Sequence, residues 1–373
     1  MCDRLRVYLL GLSLTFCSLS LFSVRATALT YILMLFILGS SRDYFNLKSN
    51  EVIFFILIIL FPLLFSNPNV IHFNYYIKYC LLCLYLASLF FLIRNYGYEL
   101  FYPAVKISLM IHVAVFYFQL LYYFIFGEFV NFDQFIREDA AEVLYQTKAL
   151  DEYLINIRAT GLFSEPSFYS MVVTPLALFL LMSSKKDIVL IFISFLSTYL
   201  SLSVAAILIS SFVLIIFMLS RQSNIYLRVF VIVSLLLSFG FFYEFIELRV
   251  LNESDYDAIG SRLLIVNEFF VRGWWLNTVG AGFFENENYP MGVTGLAGAH
   301  TRDSSFFIYL FYSSGWIGSC IFFSIIFAFL KNRNIIFYAP ILFYKFHFVF
   351  GTIWIIFAIL YAEKYKENDS AHN

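Results

Sequence analysis

Charge is scarce in this chain. Only 13% of its 373 residues are Asp, Glu, Lys or Arg, 61% are hydrophobic, and the mean hydropathy is +0.82. Apolar runs long enough to cross a bilayer recur from end to end, which excludes a large soluble domain and makes lipid the expected solvent. Cysteine is thin too: Cys2, Cys17, Cys80, Cys83 and Cys320 fall mostly within or beside those runs and make no disulfide framework. Cys80 and Cys83 spell C-x-x-C, but Tyr79-Cys80-Leu81-Leu82-Cys83-Leu84 has no polar neighbour to hold a metal or activate a thiolate, so packing is their expected role. No internal repeat is evident, which argues against the two-halved plan usual in transporters.

What is present is an all-α pattern, expected to be one polytopic integral membrane domain over residues 1–373 with about twelve transmembrane helices. The start, with Arg4, Arg6 and Ala26-Thr27-Ala28, imitates a signal peptide but reads as an uncleaved first span, because the next apolar run follows at once. Further spans are expected at 26–40, 51–65, 75–93, 103–127 and 168–182. The run 188–219 divides into two short helices near 200–204, where Ser197, Thr198, Ser201 and Ser203 can satisfy freed backbone groups. Spans at 226–243 and 306–330 and a short hairpin over 335–362 complete the set. Arg42, Lys48, Arg94, Lys185, Lys186, Arg221, Arg228, Lys331, Arg333, Lys364 and Lys366 mark the inner side, which puts both termini inside. Lys345 and His347, in or near the last hairpin, read as structural and as remote from any chemistry.

Two larger outer loops remain, about 128–166 and 244–303. In the first, Ile136, Ala140, Val143, Leu144, Leu150, Leu154 and Ile157 recur at near-helical spacing, as in a helix lying on the bilayer, whether lid or packing element. The loop ends in Arg158-Ala159-Thr160-Gly161-Leu162-Phe163-Ser164-Glu165-Pro166, a helix entry: Ser164 or Glu165 can satisfy free N–H groups and Pro166 suits the first turn. The electropositive helix start beside Arg158 suits an anion such as a diphosphate, and the plainer alternative is a capped helix with a snorkelling arginine.

The second loop carries Arg249, Arg262, Arg272, His300, Arg302 and Asp303. A short helix around Arg262, closed near Gly273 and anchored by Trp274 and Trp275, is expected there. Gly280, Gly282, Gly292, Gly295 and Gly298 make a permissive stretch that either moves over a site or merely connects. Guanidinium groups grip phosphate oxygens in pairs, so Arg158, Arg262, Arg249, Arg272 and Arg302, with Asp303, form a set suited to a lipid diphosphate. Glu165 or His300 can take a proton from an attacking hydroxyl. Arg249, after Glu244 and Glu247, also fits a simple ion pair. Asp255-Tyr256-Asp257 has the spacing of a metal-binding carboxylate pair, but such triplets are common in polar loops and no metal is expected.

Arg158-x-x-Gly161-x-Phe163-x-Glu165-Pro166 entering a span, the Ser201/Ser203 helix pair, Arg262 with Gly280-x-Gly282, and His300 before Gly315-Trp316-Ile317-Gly318 together resemble Wzy-type O-antigen polymerases and the related O-antigen ligases. Val204 and Thr301 stand where family members often carry arginine and asparagine. The resemblance implies inverting, metal-independent glycosyl transfer at the periplasmic face of the bacterial inner membrane, with no cofactor. Its implied catalytic residues are Arg158, Glu165, Arg262 and His300; substrate binding falls to Arg249, Arg272, Arg302 and Asp303. The expected partners are undecaprenyl-diphosphate-linked oligosaccharide, membrane lipids and a chain-length regulator protein, with no nucleic acid. A ligase transferring polymer to lipid A core, or a lipid-linked oligosaccharide flippase, are the competing readings.

Overall fold

The computed structural model of the chain describes residues 3–21, 23–41, 44–66, 71–138, 156–183, 187–219, 260–284, 301, 304–330 and 334–372, with isolated positions between 225 and 243. Among these residues the elements are all helical. Apolar stretches of this length satisfy their backbone groups within each segment only as helices.

The framework is a helix held in a fork. Helix α1 (Asp3–Leu19) is followed by α2 (Val24–Gly39), α3 (Ser49–Phe65) and the long α4 (Phe73–Phe126). The last is not a rod, because at Gly97 the backbone leaves the helix with φ 70°, a conformation open to glycine. Limbs 73–96 and 98–126 both lie on α1. The Arg6 guanidinium sits 4.8 Å over the Tyr96 ring, Ser13 meets Tyr85 at 3.1 Å, and the Lys78 amine caps the end of α1 at the Leu21 carbonyl, 2.7 Å away. On the other limb Thr15 bonds Ser108 at 3.0 Å and Ser18 meets His112 at 3.1 Å. One limb therefore descends α1 and the other climbs it, and the two expected spans form a hairpin turning at Gly97.

The second layer is α6 (Pro166–Met182), preceded by the single turn α5 (Asp133–Ile136), with α7 (Ile188–Leu200) and α8 (Val204–Leu219). The expected division near 200–204 is present: Thr198 meets Ser210 at 3.1 Å and Tyr199 meets Ser211 at 3.0 Å, so the two helices are antiparallel about Leu202, at φ 51°.

Two expectations need correction. The run 306–330 does not cross as a single span: α11 (Phe306–Leu330) breaks at Gly315, and the Phe306 and Phe322 rings lie 5.9 Å apart, as do those of Phe307 and Phe323. Residues sixteen apart would be separated by about 24 Å in a straight helix, so the chain folds back, and the limb 306–314 reaches only about 14 Å. The final hairpin has a non-helical ascent. After α12 (Ile335–Tyr338) and a 3₁₀ turn (Ala339–Phe343), residues 344–350 rise without helix to α13 (Gly351–His372). Tyr344, Phe346, Phe348, Val349 and Phe350 are all buried, the condition under which irregular backbone survives in an apolar bundle. By length and composition, Phe73–Phe126 and Phe306–Leu330 are the two described helices sufficient to cross a membrane, and both reverse at a glycine.

The reversal at Gly315 is covered by α9 (Gly260–Val271) and α10 (Trp274–Val279). Gly280 and Gly315 face one another: a methyl group at Gly280 would fall on the Ser313 carbonyl, and one at Gly315 on the backbone of Thr278. Ala281 and Gly282 donate to the carbonyls of Tyr312 and Ser313, each at 2.9 Å. Gly280 and Gly282 thus lock a contact rather than permit a moving flap; Gly292, Gly295 and Gly298 lie outside the described residues.

Candidate active site at the start of the sixth helix

The segment entering α6 is shaped from below by Gln119, a fully buried residue of the outgoing limb of α4. Its carbonyl accepts the amides of Thr160 (2.8 Å) and Gly161 (2.9 Å), and its NH₂ donates to Val130. Gly161 turns with φ 60°, and a side chain there would press on the Tyr169 ring. Phe163 stacks on His112 at 5.4 Å. The Gly and Phe of the entry motif are therefore explained by backbone conformation and packing, which leaves half-buried Arg158 and exposed Glu165 as its reactive members.

Glu165 occupies the N-cap position with Pro166 in the first turn, as expected, but its carboxylate does not cap the helix. Instead Ser167 Oγ donates to Glu165 Oε2 at 2.9 Å, and the Lys345 ammonium lies 3.5 Å from the same oxygen. Lys345 also sits 5.9 Å over the Phe168 ring. Lys345, expected to be remote from Glu165, therefore lies beside it: the segment 344–350 is largely buried and brings Lys345 to the start of α6.

Hydroxyl groups form the floor. Tyr344 OH meets Thr174 Oγ1 at 3.1 Å, Thr174 meets Ser210 at 3.3 Å, and Tyr169 OH donates to Ser197 at 2.6 Å. The same Tyr344 accepts the Phe306 amide at 3.1 Å, so the chain leaving Thr301 and Ser304, both buried, joins the floor one residue before Lys345. A small cavity lies between Ser18, Asp133, Arg137, Phe163, Ser164 and Phe350. Arg137 pairs with Asp133 at 3.3 Å. Burial holds the Asp133 carboxyl above the usual range, and Arg137 pulls it partly back.

Arg272 is buried, its guanidinium between the Phe269 (4.5 Å) and Tyr312 (4.6 Å) rings. It also donates to Asn277 Oδ1 at 2.5 Å and to the Tyr312 carbonyl at 3.2 Å. Arg262 lies on α9, but its side chain is outside the described residues, as are Arg249, His300, Arg302, Asp303, Asp255 and Asp257 entirely. The loop helix expected across 136–157 is likewise outside them for 139–155.

Sequence reasoning missed Lys345 and Gln119. Lys345 carried a usable signal, as a lone cation within an apolar run, where ionisable residues are functional by default. No protein-family model, curated protein or solved structure matches the chain, so the site is read from its own geometry.

Proposed function

We propose that the chain is a multi-pass membrane glycosyltransferase that polymerises undecaprenyl-diphosphate-linked repeat units of a surface polysaccharide. The observation that carries this reading is the Glu165 carboxylate at the start of α6, held by Ser167 and Lys345 through one oxygen. The other oxygen has no bond among the described residues. Arg158 lies seven positions upstream in the same entry segment. A carboxylate acceptor at a helix N-terminus, in the segment that also carries Arg158, would combine proton acceptance from a hydroxyl with charge compensation for a departing diphosphate. No metal is invoked.

The membrane setting is supported by an apolar perimeter. Ile32 (60% exposed), Leu35 (67%) and Phe36 (59%) on α2, and Ile53 (58%), Ile56 (51%) and Leu64 (73%) on α3, face outward. Bare apolar faces of this extent fit lipid better than water. In this reading the end bearing Arg6, Lys48, Arg94, Lys364 and Lys366 is cytoplasmic, as are both termini, and Glu165 opens to the periplasmic face of the inner membrane. Each of the nearly full-length helices crosses once, and the limb 306–314 is re-entrant, so fewer than twelve complete helical crossings are needed.

Deleting the gene and restoring it on a plasmid tests the reading through the surface-glycan ladder. Loss of all bands beyond one repeat, restored by wild type but not by Arg158→Ala or Arg262→Ala, is the expected result. Long chains made but left unattached to lipid A core would indicate a ligase instead. Units trapped on the inner leaflet would indicate a flippase.

A further inference from the structure

We propose that Lys345 is a positioning residue for Glu165: with Ser167 it fixes Oε2, so that Oε1 is presented to the hydroxyl of an incoming acceptor sugar. This rests on the glycosyl-transfer reading above and assigns the proton acceptor to Glu165 rather than to His300.

The two arms of the pair are built differently. Glu165 is half-exposed (50% for its side chain) at a helix start, whereas the Lys345 side chain is only 20% exposed and comes from a buried, non-helical segment. That segment is fixed one residue earlier, where Tyr344 is tied through its hydroxyl to Thr174 and through its carbonyl to the Phe306 amide. An ammonium held in such surroundings is costly to desolvate, and a half-exposed ion pair returns little stability. The arrangement makes better sense as orientation of the carboxylate. Oε2 already accepts from Ser167 and Lys345, while Oε1 meets no donor among the described residues on a side chain that is 50% exposed.

In the transfer step the acceptor hydroxyl oxygen attacks the anomeric carbon of the lipid-linked chain, and its proton passes to Oε1. The bond from that carbon to the diphosphate oxygen breaks, its electron pair leaving with the lipid diphosphate. Glu165, being half-exposed, then returns the proton to water. Lys345 touches neither sugar nor diphosphate.

The test uses the full-length chain in cells lacking their own copy, with membrane protein measured by blot and chain extension by the glycan ladder. Glu165→Gln is expected to lower extension by about 100-fold or more, the usual worth of a general base. Lys345→Ala and Lys345→Met, at wild-type protein amount, are expected to lower it by about 10- to 100-fold through misplacement of the carboxylate. Lys345→Arg should recover most of the loss. The double exchange Glu165→Lys with Lys345→Glu restores the pair and the protein amount but leaves extension absent. Wild-type ladders from Lys345→Met, or a ladder restored by the exchange, would overturn the proposal, since an ion pair serving stability alone gives those results. If gene deletion leaves the ladder intact, the glycosyl-transfer reading itself fails. If deletion abolishes the ladder while Glu165→Gln and Lys345→Met retain it, only this inference fails.

Discussion

Two carboxylate–cation pairs at opposite ends of the bundle show how differently the same chemistry can be used. At the basic end Glu51 and Arg94 meet at 2.5 Å with side chains 2% and 9% exposed. Glu51 also accepts from the Lys48 amide (2.8 Å) and Tyr361 OH (2.5 Å), while Arg94 donates to the carbonyl and side chain of Asn46. The set joins α3, α4 and α13, and both Glu51 oxygens are taken. At the other end Glu165 and Lys345 are more exposed, and one oxygen is free of partners among the described residues. A saturated pair clamps helices, whereas an unsaturated one retains capacity for a ligand.

The contrast predicts a division of effects. Glu51→Gln leaves Arg94 buried beside a neutral amide and should cost about 3–5 kcal/mol, the usual penalty for breaking a buried pair. Thermal unfolding in detergent would measure it. Glu165→Gln should cost no more than about 1 kcal/mol by the same measurement, although it is expected to lower extension by about 100-fold or more. Comparable stability losses at the two sites would erase the distinction.

The glycine contact at the tip of α11 sharpens the comparison by testing whether the open end depends on its scaffold. Gly315→Ala must hold alanine at φ 63° and push the Thr278 backbone aside, for which a destabilisation of about 1–3 kcal/mol is expected. Gln119→Leu orphans the buried amides of Thr160 and Gly161 at a cost of about 1–3 kcal/mol, and should lower chain extension as well, because it loosens the segment that leads to Glu165. An unchanged ladder from a stably folded Gln119→Leu protein would detach that segment from the chemistry.

Much of the helical layout was legible in the sequence because apolar run length dictates it: α2, α3, α6 and the α7–α8 turn fall close to their expected limits. The reversal at Gly315 was not legible. The turn at Gly97 was foreshadowed by Arg94, Asn95 and Glu99 between two expected spans, but Gly315 sits in an apolar run where a lone glycine is compatible with a continuing helix, so only the pairing of Phe306 with Phe322 reveals that turn. Lys345 was misplaced for a related reason: a helix from Ile335 climbs only about 15 Å by that position, whereas the non-helical climb through the core brings it beside Glu165. Of the entry motif, Glu165 and Arg158 drew attention by their charge. The grip of Gln119 on Thr160 and Gly161 is a long-range contact with no local trace.

A third pair separates exposure from position. Lys106 and Asp187 lie at the same basic end as Glu51 but are 35% and 32% exposed, with the charges 2.8 Å apart. The Lys106 hydrogen bond, helped by Tyr102 OH at 2.9 Å, holds the Asp187 carboxyl below its ordinary range against a smaller opposing effect of burial. Because the folded state binds that proton less readily than the unfolded chain, the stabilisation is present above the ordinary carboxylate range and is lost as pH falls through the folded value. Asp133 has the opposite sign, its raised value making its contribution greatest in acid and diminished as pH rises. Asp187→Asn should therefore cost at most about 1 kcal/mol at neutral pH, and its unfolding temperature should approach that of wild type as the pH is taken below the ordinary carboxylate range. A loss as large as that of Glu51→Gln, or one independent of pH, would show that location at the basic end rather than burial sets the worth of these pairs.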